Sequence, residues 1–462
     1  MGRKSCAEQR YGLAVTKFLM PHSFIQVPAV SHYWLCNARV PRSLLSNASV
    51  SSHDFAKEKL AAVDIEVKDG KVASVCPAKS TSAIAIPSID LGSGLLWPCF
   101  VDMHTHLDKG HIWPRSPNPD GTFHSALETV RQDAAQRWGF EDVYRRAEFG
   151  LKCSYAHGTQ AVRTHLDAFD RQGDISFAAF RQLREEWQGK IALQAVCLVT
   201  LDYFLTQAGE KLADLVAQSG GILGGVAFMN ADIVAQIDRV FELAKDRKLD
   251  LDFHTDESLN PNDAALRLVA QAAVKHQFAG RITCGHCCSL SVQSESDVKE
   301  TIEIVKAANI SVVSLPMCNL YLQDRRLNKT PRYRGVTVLQ ELKAAGVQCA
   351  IASDNCRDPF FAYGDHDGLE VFVQSTRIGH LDHPIGDWPQ AVTSTPAKMM
   401  GLDKMGLVGK GLAADFVAFK ARSFNELMAR GQSDRAVIRA GKQIDTTLPD
   451  YAELDDMTYP NA

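Results

Sequence analysis

The chain of 462 residues predicts an α/β protein: a (β/α)8 barrel with a small discontinuous β domain formed by both chain ends. Three observations predict it. Eight short apolar runs alternate with helix-like stretches through the middle of the chain, the pattern of a closed parallel barrel. Both ends instead carry short alternating strands and tight turns. Histidines and carboxylates collect where four of the eight runs give way to loops, the end of the strands at which such barrels carry active sites.

In chain order, residues 1–32 read as an N-terminal extension, disordered or targeting, because Arg3, Lys4, Arg10 and Lys17 stand against the single acid Glu8. Residues 33–95 read as strands. Val63–Lys68 alternates apolar and polar, Asp69-Gly70 turns the chain, and Lys71–Val75 alternates again, a hairpin signature. The apolar runs follow at 96–103, Ala161–Leu166, Ile191–Leu198, Ile222–Phe228, Leu249–His254, Arg281–His286, Ile310–Leu315 and Val347–Ser353. Helical patterns separate them, among others at Asp142–Ser154, Ile233–Lys248, Asp263–His276 and Ser296–Ala308. No run is followed by a glycine-rich phosphate loop, which weighs against an open dinucleotide-binding sheet. Residues 96–390 therefore read as the barrel. Ala414–Phe419 and Ala436–Ile444, the second with a Gly-Lys turn, return to β structure, so 33–95 and 391–446 are grouped as one small domain and 447–462 as a C-terminal tail.

Composition bounds the function. Hydrophobic content of 45% and charged content of 23% are those of an ordinary globular protein, and a net charge of −4 does not favour a nucleic-acid partner. No apolar run approaches the ~18 residues of a membrane span. Twelve cysteines scattered through apolar segments suit a reducing compartment. The expectation is a cytoplasmic homo-oligomer acting on a small molecule, with organellar targeting by residues 1–30 the weaker alternative.

The first run ends in His104-Thr-His106. On a strand, residues two apart leave the same face roughly 6.6 Å apart, so both imidazoles reach one ion. The fifth ends in His254-Thr-Asp-Glu257, the sixth in His286 and the eighth in Asp354. Three histidines and a carboxylate suit one divalent ion, Zn2+ or Fe2+, so His104, His106, His254 and Asp354 are the expected ligands. An ion with an open position brings the pKa of its water towards about 7 and so generates hydroxide. The expected reaction is hydrolysis at an electrophilic carbon. Glu257 shuttles a proton, His286 holds the attacking oxygen, and Asp354 takes the water's proton. His165 is read as either a pocket or a structural residue. Cys284-Gly-His-Cys287 fits C-x-x-C, but strand geometry points its cysteines to opposite faces and no second pair completes a zinc site.

The motifs Phe100-Val-Asp-Met-His-Thr-His-Leu-Asp108, Val162–Asp167, Leu193-Gln194, His254–Glu257, Asn319–Arg325, Arg334-Gly335 and Ser353–Asp358 resemble the amidohydrolase superfamily, within it the cytosine deaminase-like branch. The resemblance covers about residues 60–445. It implies a (β/α)8 barrel with a β-sandwich from both chain ends. No lysine lies in the fourth run, which implies a mononuclear site. The implied reaction is deamination of cytosine or a related aminated heterocycle, with release of ammonia. Gln194 is implied at the substrate's carbonyl and ring edge. Asn355 and Phe360 depart from the family's second acid and indole, which places them at the substrate and loosens the assignment to cytosine. Ser353–Asp358 also resembles a triazine-side-chain amidohydrolase, so a substituted s-triazine or other cyclic amide is the alternative substrate. A binding protein without activity predicts decayed ligands, and none is decayed.

Overall fold

The computed structural model describes residues 24–46, 58–79 and 86–459. Most of the proposed N-terminal extension therefore lies outside the described residues. Phe24–Ser31, grouped with it above, is packed: Ile25 is buried, and the Val27 amide donates to Oε1 of Gln443 at 2.9 Å. The apolar Phe24-Ile25-Gln-Val27 stretch explains the difference.

Eight parallel strands form the barrel: Phe100–Thr105, Thr159–Asp167, Ala192–Leu198, Leu223–Ala227, Leu251–Thr255, Ile282–His286, Ser311–Ser314 and Cys349–Ile351. Strands one to three pair in order, as do strands four to eight. Two seams close the ring. Val196↔Ile222 and Thr200↔Val226 bridge the third strand to the fourth, and Thr105↔Asp354 bridges the first to the end of the eighth. The second seam matters most, because the Asp354 amide donates to the His104 carbonyl at 2.8 Å and Thr105 Oγ1 donates to the Asp354 carbonyl at 2.8 Å. Helices such as Phe140–Ala156, Ile233–Arg247, Ala265–Lys275 and Glu295–Ala307 cover the outside. Val101, Met103, Ala161, Val313, Leu315, Ala350 and Ala352 fill the barrel's lower interior, where Ala397, Met399 and Met400 of the segment after the last strand plug it.

The run expected as one strand over 96–103 is two. Leu96–Pro98 pairs antiparallel with Phe416–Ala418 outside the barrel, and Phe100–Thr105 begins the barrel. Pro98 lacks an N–H and ends the first pairing. Two four-stranded sheets stand outside the barrel. One orders Lys71–Pro77, Leu60–Lys68, His32–Pro41 and Ser88–Asp90. The other orders Lys442–Gln443, Ala436–Arg439, Phe416–Ala418 and Leu96–Pro98. Their hairpin turns meet. Asp69-Gly70 has φ of 51° and 77°, the left-handed pair of a type I′ turn. The second turn is Ala440-Gly441, with φ of 47° and 73°, one residue before the Gly-Lys expected. A Cβ on Gly70 would stand 2.9 Å from the Ala440 carbonyl oxygen, so the contact requires glycine.

The tail is ordered as short helices over Tyr451–Leu454 and Asp455–Thr458, and Leu454 packs on Phe149 and Cys153 of Phe140–Ala156. No helix among the described residues is long and apolar enough to cross a membrane.

Candidate active site

The site opens at the C-terminal end of the strands. His106 Nε2 lies 3.2 Å from Asp354 Oδ1 and 3.4 Å from His254 Nε2, and His104 Nε2 lies 3.5 Å from the same Asp354 oxygen. Two atoms bound ~2.1 Å from one ion stand roughly 3.0–3.4 Å apart, so these four residues suit a shared centre. Burial sharpens the point. All four are at most 5% exposed, and both Asp354 oxygens and Nδ1 of each of the three histidines lack a hydrogen-bond partner. An uncompensated buried carboxylate is costly, and a cation at the centre resolves it. Burial, reinforced by the neighbouring cationic groups, holds His104, His106 and His254 well below the ordinary imidazole range. They are neutral, as ligands must be.

Polar contacts fix the backbone around part of this set. Asp102, in the middle of the first strand, accepts from Ser353 Oγ at 2.5 Å and from the Ser353 amide at 3.1 Å, fixing the residue before Asp354. Asp108 Oδ2 accepts from the Asp167 amide at 2.7 Å. His165 stacks on His104 with ring centroids 3.9 Å apart, and its Nε2 lies 3.4 Å from Asp252 Oδ1. It lies behind the ligands and does not line the cavity.

Glu257, His286 and Asp354 offer ligand-type atoms within 4.8 Å of one another. Burial first, then the Asp354 carboxylate, pushes Glu257 well above the ordinary carboxyl range, which favours its acid form. Burial pushes His286 down to about 3, leaving a neutral ring with one N–H. Asn319, on the short helix Pro316–Leu322, selects which nitrogen holds it. Its Nδ2 lies 3.0 Å from His286 Nδ1 and 3.2 Å from Glu257 Oε1. Nδ1 accepts from the amide, so Nε2 carries the hydrogen, and Nε2 has no protein partner.

A cavity of about 490 Å³ opens over this group, with His106, His254, Glu257, His286, Asp354, Asn355 and Phe360 in its lining. Asn355 Nδ2 donates to Asp358 Oδ2 at 2.7 Å. The Phe360 ring meets Phe123 edge-on at 5.4 Å. Gln194 does not reach the cavity. It is the third residue of its strand, deep in the barrel, where Oε1 accepts from Arg163 Nη2 at 2.9 Å and Nε2 donates to the Met400 carbonyl at 2.9 Å. Both ends of its amide are engaged, which removes it as a substrate contact.

Sequence reasoning missed three contributors. Asn319 lay in a quoted motif without a role. Lys109, buried and 2.7 Å from Asp167, faces the cavity beside Phe360. The helix Phe123–Arg137 supplies Phe123, Leu127, Val130, Arg131 and Ala134 to the wall. Its signals were the spacing of 123, 127, 130 and 134 and the N-cap Thr122, whose side chain accepts from the Ser125 amide at 3.2 Å.

A model of the amidohydrolase family matches residues 147–446. The pterin deaminase of Rhizobium rhizogenes strain K84 is 47% identical over 437 residues, 94% of this chain and 99% of its own. N-isopropylammelide isopropyl amidohydrolase of Pseudomonas sp. strain ADP is 24% identical, over 80% of this chain and 90% of its own. Among solved structures, 5-methylcytosine deaminase from Klebsiella pneumoniae superposes with a TM-score of 0.75 at 24% identity, over 89% of this chain and 97% of its own. With the barrel, the strand-end ligand set and these likenesses together, the chain belongs to the amidohydrolase family.

Proposed function

We propose that the protein is a metal-dependent hydrolytic deaminase of an aminated two-ring heterocycle of the pterin class. The observation that carries the reading is Glu257, its carboxyl raised above the ordinary range, beside four converging ligand-type atoms on the floor of a cavity lined in part by Phe123, Phe228 and Phe360. The likeness to a pterin deaminase at 47% identity supports the substrate class. The volume does too, since about 490 Å³ falls within the range of pockets for drug-sized ligands, roughly 300–1,000 Å³, and exceeds the need of a single pyrimidine ring. A flat bicyclic ring suits the faces of Phe123, Phe228 and Phe360.

A divalent ion, Zn2+ or Fe2+, held by His104, His106, His254 and Asp354 supplies the acidity that turns water into a nucleophile at neutral pH. Asp354 accepts the water's proton. His286 donates its Nε2 hydrogen to the attacking oxygen and orients it. Glu257 delivers its proton to the ring nitrogen next to the amine-bearing carbon as the new C–O bond forms there. The amine takes the proton held at Asp354, the hydroxyl proton on the attacked carbon returns to Glu257 as the carbonyl forms, the C–N bond breaks and ammonia leaves.

The test is turnover by the purified, metal-loaded protein of a panel containing pterin, cytosine, guanine and an N-alkyl-amino-s-triazine, followed by ammonia release. The expected result is the highest kcat/KM with pterin. Cytosine as the best substrate would overturn the two-ring reading, amine release from the triazine alone would favour the side-chain amidohydrolase, and no ammonia from any member would sink the deaminase.

A further inference from the structure

His111, Cys356 and His366 form a second cluster, apart from the four residues assigned to the catalytic ion. Their ligand-type atoms all lie within 4.8 Å of one another. The three residues are 2%, 1% and 3% exposed. Both nitrogens of His111 and both nitrogens of His366 lack any hydrogen-bond partner. A neutral imidazole has one donor and one acceptor to satisfy, so two such rings side by side leave four buried polar sites unmet by protein groups. Buried polar groups are rarely left so. Phe149 closes one side, with its ring 4.8 Å from that of His111. Gly150 closes another, since a Cβ there would stand 3.0 Å from His366 Nε2. The His366 amide is directed at the Cys356 sulfur.

We propose that His111, Cys356 and His366 bind a second, structural divalent ion of zinc-like softness. Two imidazoles and a thiolate are a donor set for Zn2+, with bonds of about 2.0–2.3 Å. Ligand atoms around such an ion stand roughly 3.3–3.8 Å apart, so a small contraction of side chains within 4.8 Å brings three of a tetrahedral ion's donors to it. The thiol loses its proton to solvent on binding, and the thiolate offsets one of the ion's two charges. The location gives the ion a task. His111 lies in the loop that carries His106 and Lys109, while Cys356 and His366 lie in the loop that carries Asp354, Asn355 and Phe360. These loops already meet through the His111 amide, which donates to the Cys356 carbonyl at 3.1 Å, and the Trp113 amide, which donates to the Arg357 carbonyl at 2.8 Å. An ion there clamps two walls of the cavity together without touching substrate.

Cobalt substitution of the full chain tests this. The ligand set assigned to catalysis contains no sulfur, so a thiolate-to-cobalt charge-transfer band in the near ultraviolet reports the second site alone. The expected result is two Co2+ per chain with that band. Cys356→Ser should remove the band and one equivalent of cobalt, and His366→Gln should do the same. One Co2+ per chain with no such band in the unaltered protein overturns the proposal, and so does a band that survives Cys356→Ser.

Discussion

At the scale of single residues, the site rests on which groups hold protons. In the proposed mechanism Glu257 must be in its acid form to protonate the ring, and burial shifts its carboxyl in that direction. Glu257→Gln keeps the shape and removes the proton. It should cut kcat by at least about 100-fold while metal content, read by elemental analysis, stays at the wild-type level. Loss of metal instead would move Glu257 into the ligand set. In the native protein kcat/KM should fall as pH rises through the elevated Glu257 value, because only the protonated acid acts, and that alkaline limb should vanish from the residual activity of the Gln variant. Asn319 acts through His286. Asn319→Leu frees the imidazole to place its hydrogen on either nitrogen and should lower kcat by roughly 10–100-fold with KM little changed; an effect confined to KM would instead make Asn319 a substrate contact. The convergence of His104, His106, His254, Glu257, His286 and Asp354 was legible because each lies at or just past a strand end, where one local pattern fixes position. Asn319 was not, because its place depends on a helix turned in over two strand ends. Gln194 was misplaced for a related reason. A motif names the strand, but only the depth along it says whether a side chain reaches the cavity or the core beneath.

Elements join through a few buried ion pairs. Asp367 caps the helix Gly368–Gly379, accepting from the Leu369 amide at 2.9 Å, and Arg435 forks onto it from the approach to strand Ala436–Arg439, at 2.7 and 2.6 Å. Burial opposes the Asp367 charge, but Arg435 and His157 more than offset it and hold the carboxyl below its ordinary value of 3.8. A carboxyl depressed in the folded state stabilises above its unfolded pKa, and the contribution is lost as pH falls through the folded value. Arg435→Met leaves that charge with only His157 and the Leu369 amide to offset it. It should destabilise the protein by roughly 3–5 kcal/mol at pH 7, measured by denaturant unfolding, and the deficit should shrink towards pH 3 as Asp367 gains a proton. An equal deficit at both pH values would show that Arg435 acts through packing alone. The strands and most outer helices followed from apolar periodicity. The helix Phe123–Arg137 escaped because it is inserted before the helix that completes the first βα unit, where the count of alternating units leaves no place for it.

Across the whole molecule, the proposed metal ligands come from strands one, five and eight or the turns that follow them. Binding an ion therefore ties the closing seam at Thr105–Asp354 to the far side of the ring. Removal of metal by chelation should lower the melting temperature by several degrees, and Zn2+ should restore it; an ion present at about a thousandfold excess over its Kd contributes roughly 4 kcal/mol. A chelated protein that melts at the native temperature would remove the ion from the fold's support. The barrel was legible as a count of eight. The exchange of Leu96–Pro98 into the outer sheet was not, since its partner strand lies about 320 residues later and no local pattern carries a pairing of that range.

That late partner has a consequence on the ribosome. Leu96–Pro98 leaves the exit tunnel long before Phe416–Ala418 is made, so through most of synthesis its strand edge faces solvent unpaired. Trp97, fully buried among Phe372, Phe419 and Phe424 in the finished protein, has no lasting cover until the final stretch emerges. The nascent chain thus carries a sticky hydrophobic edge over the making of about 320 residues, and that exposure ends with Phe416–Ala418 rather than with the barrel.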